Sequence, residues 1–204
     1  MAKSRTLEIM AALQKLYPDA GCTLDWTTPL DLLVATILSA QCTDKRVNEV
    51  TKSLFRKYRT PRDYLDVPVT ELERDIHSCG TFRMKAKAIR ESCQTILEQF
   101  FGNVPKTMGE MLKLRGVGRK TASVVLGDAF DVHEGIAVDT HVMRVSRRLG
   151  LTRKTTQAGI EADLMNQVPQ KDWSRISHLL IAHGRAVCTA RAHKCQCRRE
   201  LLGQ

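Results

Sequence analysis

The chain has 204 residues, of which 43% are apolar and 26% charged, a balance that is ordinary for a globular protein and excludes a disordered chain. Its formal net charge of +10 and pI near 9.5 favour a polyanionic partner over a merely solvated basic surface. The longest apolar stretch, Leu32–Leu38, is interrupted only by Thr36 and is far below the roughly 20 residues of a membrane span. The first residues carry no signal-peptide core, so we expect a cytoplasmic protein without a membrane partner.

Helical periodicity begins near the start of the chain. Leu7, Met10 and Leu13 share one face of a first predicted helix, which Pro18 ends. Pro29 suits the first position of a second helix, whose residues are apolar on nearly all sides. A helix of that kind is buried, so we expect it at the centre of the bundle.

The rest of the chain continues this helical pattern. Capping boxes are predicted at Thr70 with Glu73, before a stop at Gly80, and at Thr107 with Glu110. Apolar stripes predict further helices at 47–58, 86–100, 120–130, 140–149, 155–168 and 172–183. Apolar and polar residues alternate nowhere long enough for a strand, so we predict an all-α fold of about ten helices.

One segment combines two glycines with a basic helix start. In LKLRGVGRKTA (112–122), a helix ends near Leu114, a tight turn holds Gly116 and Gly118, and a new helix starts near Arg119. Glycines allow positive φ angles and let the backbone approach a ligand closely. The N–H groups of the turn and of the new helix then bind a phosphate, aided by the helix dipole.

Other glycine motifs fit this segment less well. A dinucleotide-binding fingerprint needs a preceding strand and a third glycine where the chain has Thr121. A Walker loop needs glycine directly before Lys120, where Arg119 stands. An ordinary corner between two helices remains an alternative. The setting favours a helix–hairpin–helix, a module that grips a DNA phosphate without reading sequence.

A carboxylate follows this turn at the start of the next helix. Asp139, in IAVDTHV, suits an N-cap, and that structural role is compatible with catalysis. Lys120, taken alone, is most simply a solvated surface residue. A lysine just after a phosphate-binding turn and an aspartate soon afterwards are together a candidate catalytic pair.

Four segments carry a resemblance to one family. LRGVGRKTA, VDTHV, ILSAQCTDKRVNEVT (37–51) and HGRAVC (183–188) resemble the endonuclease III branch of the helix–hairpin–helix glycosylase superfamily, and the similarity runs from about Leu7 to Cys195. The resemblance implies a two-lobed helical fold with a DNA-binding cleft between the lobes. One lobe is a six-helix, barrel-like domain at 22–131 with the hairpin. The other combines 1–21 with 132–204 and ends in a basic, cysteine-containing loop.

The resemblance also implies an activity, a base-excision DNA glycosylase that is an abasic-site lyase. Lys120 matches the nucleophile that attacks the sugar, and Asp139 matches the catalytic aspartate. The usual substrates are oxidised or ring-saturated pyrimidines in duplex DNA. We therefore expect damaged or abasic duplex DNA as the partner, association with the nucleoid, and a monomer.

Further positions match the family's contacts with DNA. The target nucleotide leaves the duplex, and protein side chains fill the gap. Gln41 matches one such plug; the other, usually apolar, falls at Thr81, and a short Thr leaves Phe82 or a loose filling as alternatives. The remaining DNA-binding candidates are Arg115, where the family has proline, Gly116, Gly118, Arg119 and His141.

The C-terminal cysteines depart from the family pattern. The family often binds a [4Fe–4S] cluster through cysteines spaced C-x6-C-x2-C-x5-C. Cys188 and Cys195 match, but Cys197 lies one residue before the third position, Arg198, and no cysteine stands at the fourth, near the end of the chain. Four thiolates are usual for such a cluster, so we expect it absent or incomplete. Three thiolates with an outside ligand, holding a cluster or zinc, are the alternative. No cofactor is required for the chemistry that the resemblance implies.

Two other functions remain open at this point. A non-catalytic helix–hairpin–helix DNA-binding protein would need neither Lys120 nor Asp139. A glycosylase of the same fold could instead remove mismatched or alkylated bases, although the adenine mismatch branch lacks lysine at this position. The sequence does not determine which damaged base is removed, because segments that are distant in sequence line the pocket.

Overall fold

The computed structural model of the chain describes residues 2–191. Within them lie eleven α-helices and two short 3₁₀ helices joined by turns, with no strand, which confirms the all-α prediction. No helix among these residues is long and apolar enough to cross a membrane.

The chain divides into two compact units. One is Thr23–Glu134; the other joins the residues up to Cys22 to those from Gly135 onward. The domain boundaries predicted from sequence, after residues 21 and 131, lie close to these divisions. Lys120 belongs to the first of these units and Asp139 to the second.

The unit Thr23–Glu134 is built around one apolar helix. Its helices are α2 (Pro29–Leu38), α3 (Asp44–Lys57), α4 (Asp63–Asp66), α5 (Val69–Asp75), the 3₁₀ helix His77–Cys79, α6 (Phe82–Phe100), α7 (Met108–Met111) and α8 (Arg119–Phe130). Every residue from Leu30 to Leu38 is buried, and α2 packs against α3, α6 and α8. The prediction of a buried central helix is therefore confirmed.

Local chemistry explains where α2 begins. Thr28 Oγ1 accepts a hydrogen bond from the Asp31 N–H at 3.2 Å, and an Asp31 carboxylate oxygen accepts one from the Thr28 N–H at 2.9 Å. This capping box satisfies two donors that the helix itself leaves open. Pro29 then occupies the first turn, where its missing N–H costs nothing.

The capping box predicted at Thr70 and Glu73 is wrong. Helix α5 begins at Val69 with Pro68 as its N-cap, so Thr70 lies inside the helix. Pro68 has φ −56° and ψ 139°, an extended conformation that directs the chain into the helix one residue before the predicted start. The predicted cap at Thr107 is confirmed, but α7 ends at Met111 rather than near Leu114.

The other unit consists of four α-helices within the described residues. They are α1 (Ala2–Leu16), α9 (Thr140–Leu149), α10 (Gln157–Gln167) and α11 (Trp173–Ala186), with the 3₁₀ helix Gln170–Asp172 before α11. Helix α11 packs against α9 and α1, and α10 packs against both of these. Their common core includes Ile9, Leu13, Val142, Leu149, Leu164 and Leu180.

Candidate active site

The two-glycine turn connects α7 to α8, as the sequence predicts. Leu114 and Val117 are buried and anchor the turn from below, and the Val117 N–H donates to the Leu114 carbonyl at 3.2 Å. Arg115, Gly116 and Gly118 are exposed. The turn therefore alternates buried apolar anchors with an open backbone edge.

Helix α6 fixes the shape of this turn. The buried Ser92 hydroxyl donates to the Arg115 carbonyl at 2.8 Å. Gly116 has φ +75°, and a Cβ added there would lie 2.9 Å from the Ala88 Cβ. Glycine at 116 is thus required by the fold itself, for its left-handed backbone and for close contact with α6. Arg115 lies over the same helix, with its Nε 3.6 Å from a Glu91 carboxylate oxygen.

Gly118 differs from Gly116 in its backbone conformation and in the space around it. Its φ is −92°, which any residue adopts, and a Cβ added there would meet no atom within 4 Å. It is the N-cap of α8 and makes no side-chain cap bond, so the first N–H groups of that helix face outward. Nothing within this unit demands glycine here, and the open backbone suits an approaching anion.

Two basic residues follow at the start of α8. Arg119 turns back along the unit, and its Nη2 donates to the Glu134 carbonyl at 3.3 Å. Glu134 in turn accepts a hydrogen bond from the Met108 N–H at the start of α7, at 3.0 Å, which ties the two helices together. Lys120 is exposed, two residues after Gly118. Its side chain therefore leaves α8 in the first turn of that helix.

Asp139 is the N-cap of α9, as predicted. A carboxylate oxygen accepts a hydrogen bond from the Val142 N–H at 2.8 Å, and the side chain is half-buried. The charge also lies at the positive end of the helix dipole. Its position is thus set by the start of the helix.

Three polar side chains hold the segment that leads to Asp139. Glu161 of α10 accepts from the Ile136 N–H at 3.2 Å, and Ser177 of α11 donates to the Ala137 carbonyl at 3.0 Å. Gln157 of α10 donates to the Val138 carbonyl at 3.0 Å. Each residue from 136 to 138 therefore has a peptide group bonded to a side chain from another helix, and the carboxylate that follows has a defined position.

Comparisons with known proteins agree with this geometry. Residues 34–170 match the model of the HhH-GPD superfamily of base excision DNA repair proteins. Endonuclease III of Synechocystis sp. is 54% identical over 95% of this chain and 88% of its own, and that of Bacillus subtilis is 51% identical over 88% of this chain and 82% of its own. A solved endonuclease III, trapped as a covalent intermediate with DNA, superimposes with a TM-score of 0.90 at 46% identity, covering 96% of this chain and 92% of that one.

The chain belongs to the endonuclease III family. It is therefore a base excision repair enzyme, a DNA glycosylase that is also an abasic-site lyase. The resemblance seen in the four sequence segments is confirmed. The helix–hairpin–helix of this family corresponds to α7, the turn with Gly116 and Gly118, and α8.

The two positions that match the family's plugs both lie on unusual backbone. Gln41 has φ +54° in the turn between α2 and α3, and Thr81 has φ +36° at the N-cap of α6; both are exposed. Phe82 is half-buried, with its ring 4.5 Å from the His77 ring, centroid to centroid. Thr81, rather than Phe82, thus occupies the exposed tip of its turn.

His141 lies in the first turn of α9 and is half-buried. Its Nδ1 is 3.0 Å from Arg144 Nη2; since arginine only donates, Nδ1 accepts and the proton of the neutral ring is on Nε2. Arg144 also donates to the Gly184 carbonyl at 3.0 Å and to the Cys188 carbonyl at 2.9 Å. His141 is therefore positioned through Arg144 by the end of α11.

A basic groove lies along one face of α9, with four arginines among its residues. It is lined by Thr140, Met143, Arg144, Arg147, Arg148, Thr152 and Arg153. Arg148 donates to the Thr189 carbonyl at 2.8 Å, whereas Arg147 and Arg153 are exposed. The sequence alone does not reveal this groove, because only the fold brings the residues after α9 beside it.

Of the three C-terminal cysteines, the described residues include only Cys188. It is buried, and its Sγ accepts a hydrogen bond from Arg148 Nη1 at 3.3 Å. No group of three or more His, Cys, Asp or Glu side chains in residues 2–191 is arranged to hold a metal ion. Cys195 and Cys197 lie outside the described residues.

The positioning residues of the site were not found from sequence. Ser92, Ser177 and Glu161 are buried polar residues that interrupt apolar helix faces. A polar residue on an apolar helix face is the sequence signal by which these residues could have been found, because a buried polar group needs a hydrogen-bond partner. The identity of the partner, a backbone group in a turn or non-helical segment elsewhere in the chain, depends on the fold.

Proposed function

We propose that Lys120 is the nucleophile of both reactions of this enzyme. Its neutral amine forms a bond to C1′ of a flipped nucleotide while the glycosidic bond breaks, and the damaged base leaves with that electron pair. The sugar ring then opens at the C1′–O4′ bond, with a proton passing to O4′, and the protonated imine that this forms acidifies the C2′ proton. Removal of that proton forms a C2′–C3′ double bond and expels the 3′ phosphate.

The placement of Lys120 is the observation that supports this proposal. The amine is exposed two residues after Gly118, at a helix start whose open backbone suits a phosphate. A DNA strand gripped there brings its sugars close to Lys120. A protein that only binds DNA has no need of an amine at this place.

Asp139 provides the negative charge that the reaction requires. Loss of the base leaves positive charge on the sugar, and a carboxylate stabilises it. The same carboxylate accepts the proton that the Lys120 amine loses on attack. The fixed segment 136–138 and the α9 cap support this role, because they hold the carboxylate in place before substrate binds.

Borohydride trapping tests the nucleophile. Wild-type enzyme incubated with abasic duplex and borohydride should form a covalent protein–DNA adduct, since borohydride reduces the imine to a stable amine. Lys120→Ala should form none, and Lys120→Gln should still bind the duplex. Lys113→Ala, which removes another exposed lysine near the hairpin, is the control and should trap normally. Trapping by Lys120→Ala at the wild-type level would show that another amine is the nucleophile.

The substrates are oxidised or ring-saturated pyrimidines in duplex DNA. The support for this choice is family membership together with Lys120, which the adenine mismatch branch lacks. Excision from duplexes carrying thymine glycol, a G·A mismatch or 3-methyladenine distinguishes the lesions. We expect cleavage of the first only; preferential release of either other base would favour another glycosylase specificity.

Gln41 and Thr81 fill the gap that the flipped nucleotide leaves. Both are exposed at the tips of turns in the same unit. Gln41→Ala should weaken binding to a duplex with an abasic analogue more than binding to undamaged duplex. Equal weakening of both would show that Gln41 is an ordinary backbone contact.

The DNA backbone also contacts the basic groove of α9. The support is charge complementarity, because Arg147 and Arg153 are exposed in a groove that two further arginines line. The enzyme acts as a monomer on chromosomal DNA in the cytoplasm. Sedimentation at micromolar concentration tests this, and a stable dimer would contradict it.

Catalysis proceeds without a complete [4Fe–4S] cluster. The support is the spacing of the thiols, with Cys197 one residue from the family position and arginine at 198. Lys120 and Asp139 supply the chemistry, so Cys195→Ser should leave lyase activity nearly intact. Iron and acid-labile sulfide measured on anaerobically purified protein decide the cofactor. About four irons per chain would overturn this proposal.

A further inference from the structure

Lys85 is a buried lysine for which the reaction has no use. It lies in the first turn of α6 and is only 4% exposed. Its Nζ donates to the Leu38 carbonyl at 2.8 Å and to the Cys79 carbonyl at 2.7 Å. Leu38 is the last residue of α2 and Cys79 is the last residue of the 3₁₀ helix His77–Cys79. One amine therefore joins the ends of two helices that are distant in sequence.

Each of these carbonyls lies just before a strained turn. Gln41 follows Leu38 by three residues and Thr81 follows Cys79 by two, with φ of +54° and +36°. Non-glycine residues avoid this region of backbone conformation, and a β-branched threonine does so most strongly. The other two non-glycine residues with positive φ among those described, Phe101 and Asp131, are ordinary C-caps of helices.

The Lys85 amine is buried close to two cysteines, Cys42 and Cys79. Burial lowers the pKa of Lys85, and burial raises the pKa of the adjacent Cys79 thiol to about 11, so that thiol carries no charge at neutral pH. The hydrogen bonds of the ammonium go to two carbonyl oxygens rather than to a carboxylate. Burying an amine is costly, and here its two hydrogen bonds join the ends of two separate helices.

We propose that Lys85 is a positioning residue that sets the spacing of the Gln41 and Thr81 turns, so that both side chains enter the gap in the duplex together. The proposal rests on the gap-filling role proposed above. Lys85 does not touch DNA; it acts through the two carbonyls. It contributes to the recognition of a flipped or missing base, and not to the affinity for undamaged duplex, which the hairpin and the groove of α9 supply.

The test compares Lys85→Met with Lys87→Met. Methionine keeps an unbranched side chain without donors at 85, and Lys87 is a 62% exposed lysine on the same helix. Affinity is measured for undamaged duplex and for duplex with a tetrahydrofuran abasic analogue. Lys85→Met should lower the ratio of the two affinities by about tenfold or more, because misplaced positioning groups cost such factors. Its affinity for undamaged duplex and the salt dependence should stay unchanged, and Lys87→Met should keep the wild-type ratio.

A wild-type ratio in folded Lys85→Met overturns the proposal. If Lys85→Met does not fold, the same ratio of affinities is measured in Lys85→Arg instead. Its guanidinium keeps the charge but is planar and bulkier than an ammonium, so at this buried position it should displace the two carbonyls from their wild-type spacing, and the ratio should still fall. An unchanged ratio in Lys85→Arg would then overturn the proposal.

Gln41→Ala separates the two hypotheses. A lowered ratio in Gln41→Ala beside a wild-type ratio in Lys85→Met overturns only the positioning role. A wild-type ratio in Gln41→Ala overturns the gap-filling role and the positioning role with it. A lowered ratio in both variants supports the proposal.

Discussion

Asp139 caps α9 and, in the proposed mechanism, also has a chemical role; a single substitution separates the two roles. Asp139→Asn keeps an oxygen that can accept from the Val142 N–H, so the cap and the melting temperature should change little. The charge is lost, and base excision should fall by about tenfold to a thousandfold. Single-turnover excision and thermal melting measure the two effects.

The matched control removes a cap without removing a carboxylate. Thr156 is the N-cap of α10 and accepts from the Gly159 N–H at 3.2 Å. Thr156→Ala should lower the free energy of unfolding by about 1 kcal/mol and leave excision unchanged. If Asp139→Asn instead lowered stability and kept normal excision, Asp139 would be a cap only.

These residues also show what the sequence can predict. The caps at Asp139 and Thr107 were predicted correctly, because a cap depends on a few neighbouring residues. Lys85 and Ser177 were not found, since each bonds to a carbonyl dozens of residues away. Local chemistry is readable from sequence, whereas a positioning contact exists only once the helices pack.

At the scale of the element, the hairpin provides a matched pair of glycines. Gly116→Ser places a Cβ 2.9 Å from Ala88 on left-handed backbone, so it should lower the free energy of unfolding by about 1–3 kcal/mol. Gly118→Ser adds its Cβ to open space, and serine is a good N-cap, so stability should hold. Its DNA affinity should nevertheless fall for every sequence alike, because the added side chain stands where the phosphate approaches.

Denaturant unfolding and binding to undamaged duplex are the two measurements. Wild-type DNA affinity in Gly118→Ser would show that the turn is an ordinary corner between helices. The sequence predicted both glycines to serve one purpose, and the structure separates them. The difference lies in α6, whose contact with Gly116 could not be read from the hairpin segment alone.

The anchored segment before Asp139 is tested through α11. Ser177→Ala leaves the buried Ala137 carbonyl without this donor and should cost about 1–3 kcal/mol of unfolding free energy. The excision rate at saturating DNA should fall, because Asp139 follows two residues later, while affinity for undamaged duplex should not change. Ser146→Ala is the control, since that buried hydroxyl bonds within its own helix α9, to the carbonyls of Val142 and Met143. Equal excision rates in the two variants would contradict a positioning role for Ser177.

At the scale of the whole molecule, the excess of positive charge makes the affinity for DNA depend strongly on the salt concentration. The logarithm of affinity for duplex falls linearly with the logarithm of salt concentration, with a slope of about −0.9 for each phosphate contacted. The net charge of +10 predicts a steep slope but not which residues produce it. We propose the hairpin and the groove of α9 as the sources of that slope; the sequence could not predict the groove, because the residues after α9 fold back beside the helix.

Replacing Arg147 and Arg153 together with alanine distinguishes local contact from net charge. If both arginines bind phosphates, the salt slope should become shallower by about two, roughly one for each phosphate that the variant no longer neutralises. Lys15→Ala with Lys171→Ala removes the same charge from exposed positions at the end of α1 and just before α11. That control should keep the wild-type slope, because a released counterion requires a contact and not merely a charge on the protein. Equal slopes in the two double variants would show that the groove of α9 does not touch the DNA backbone.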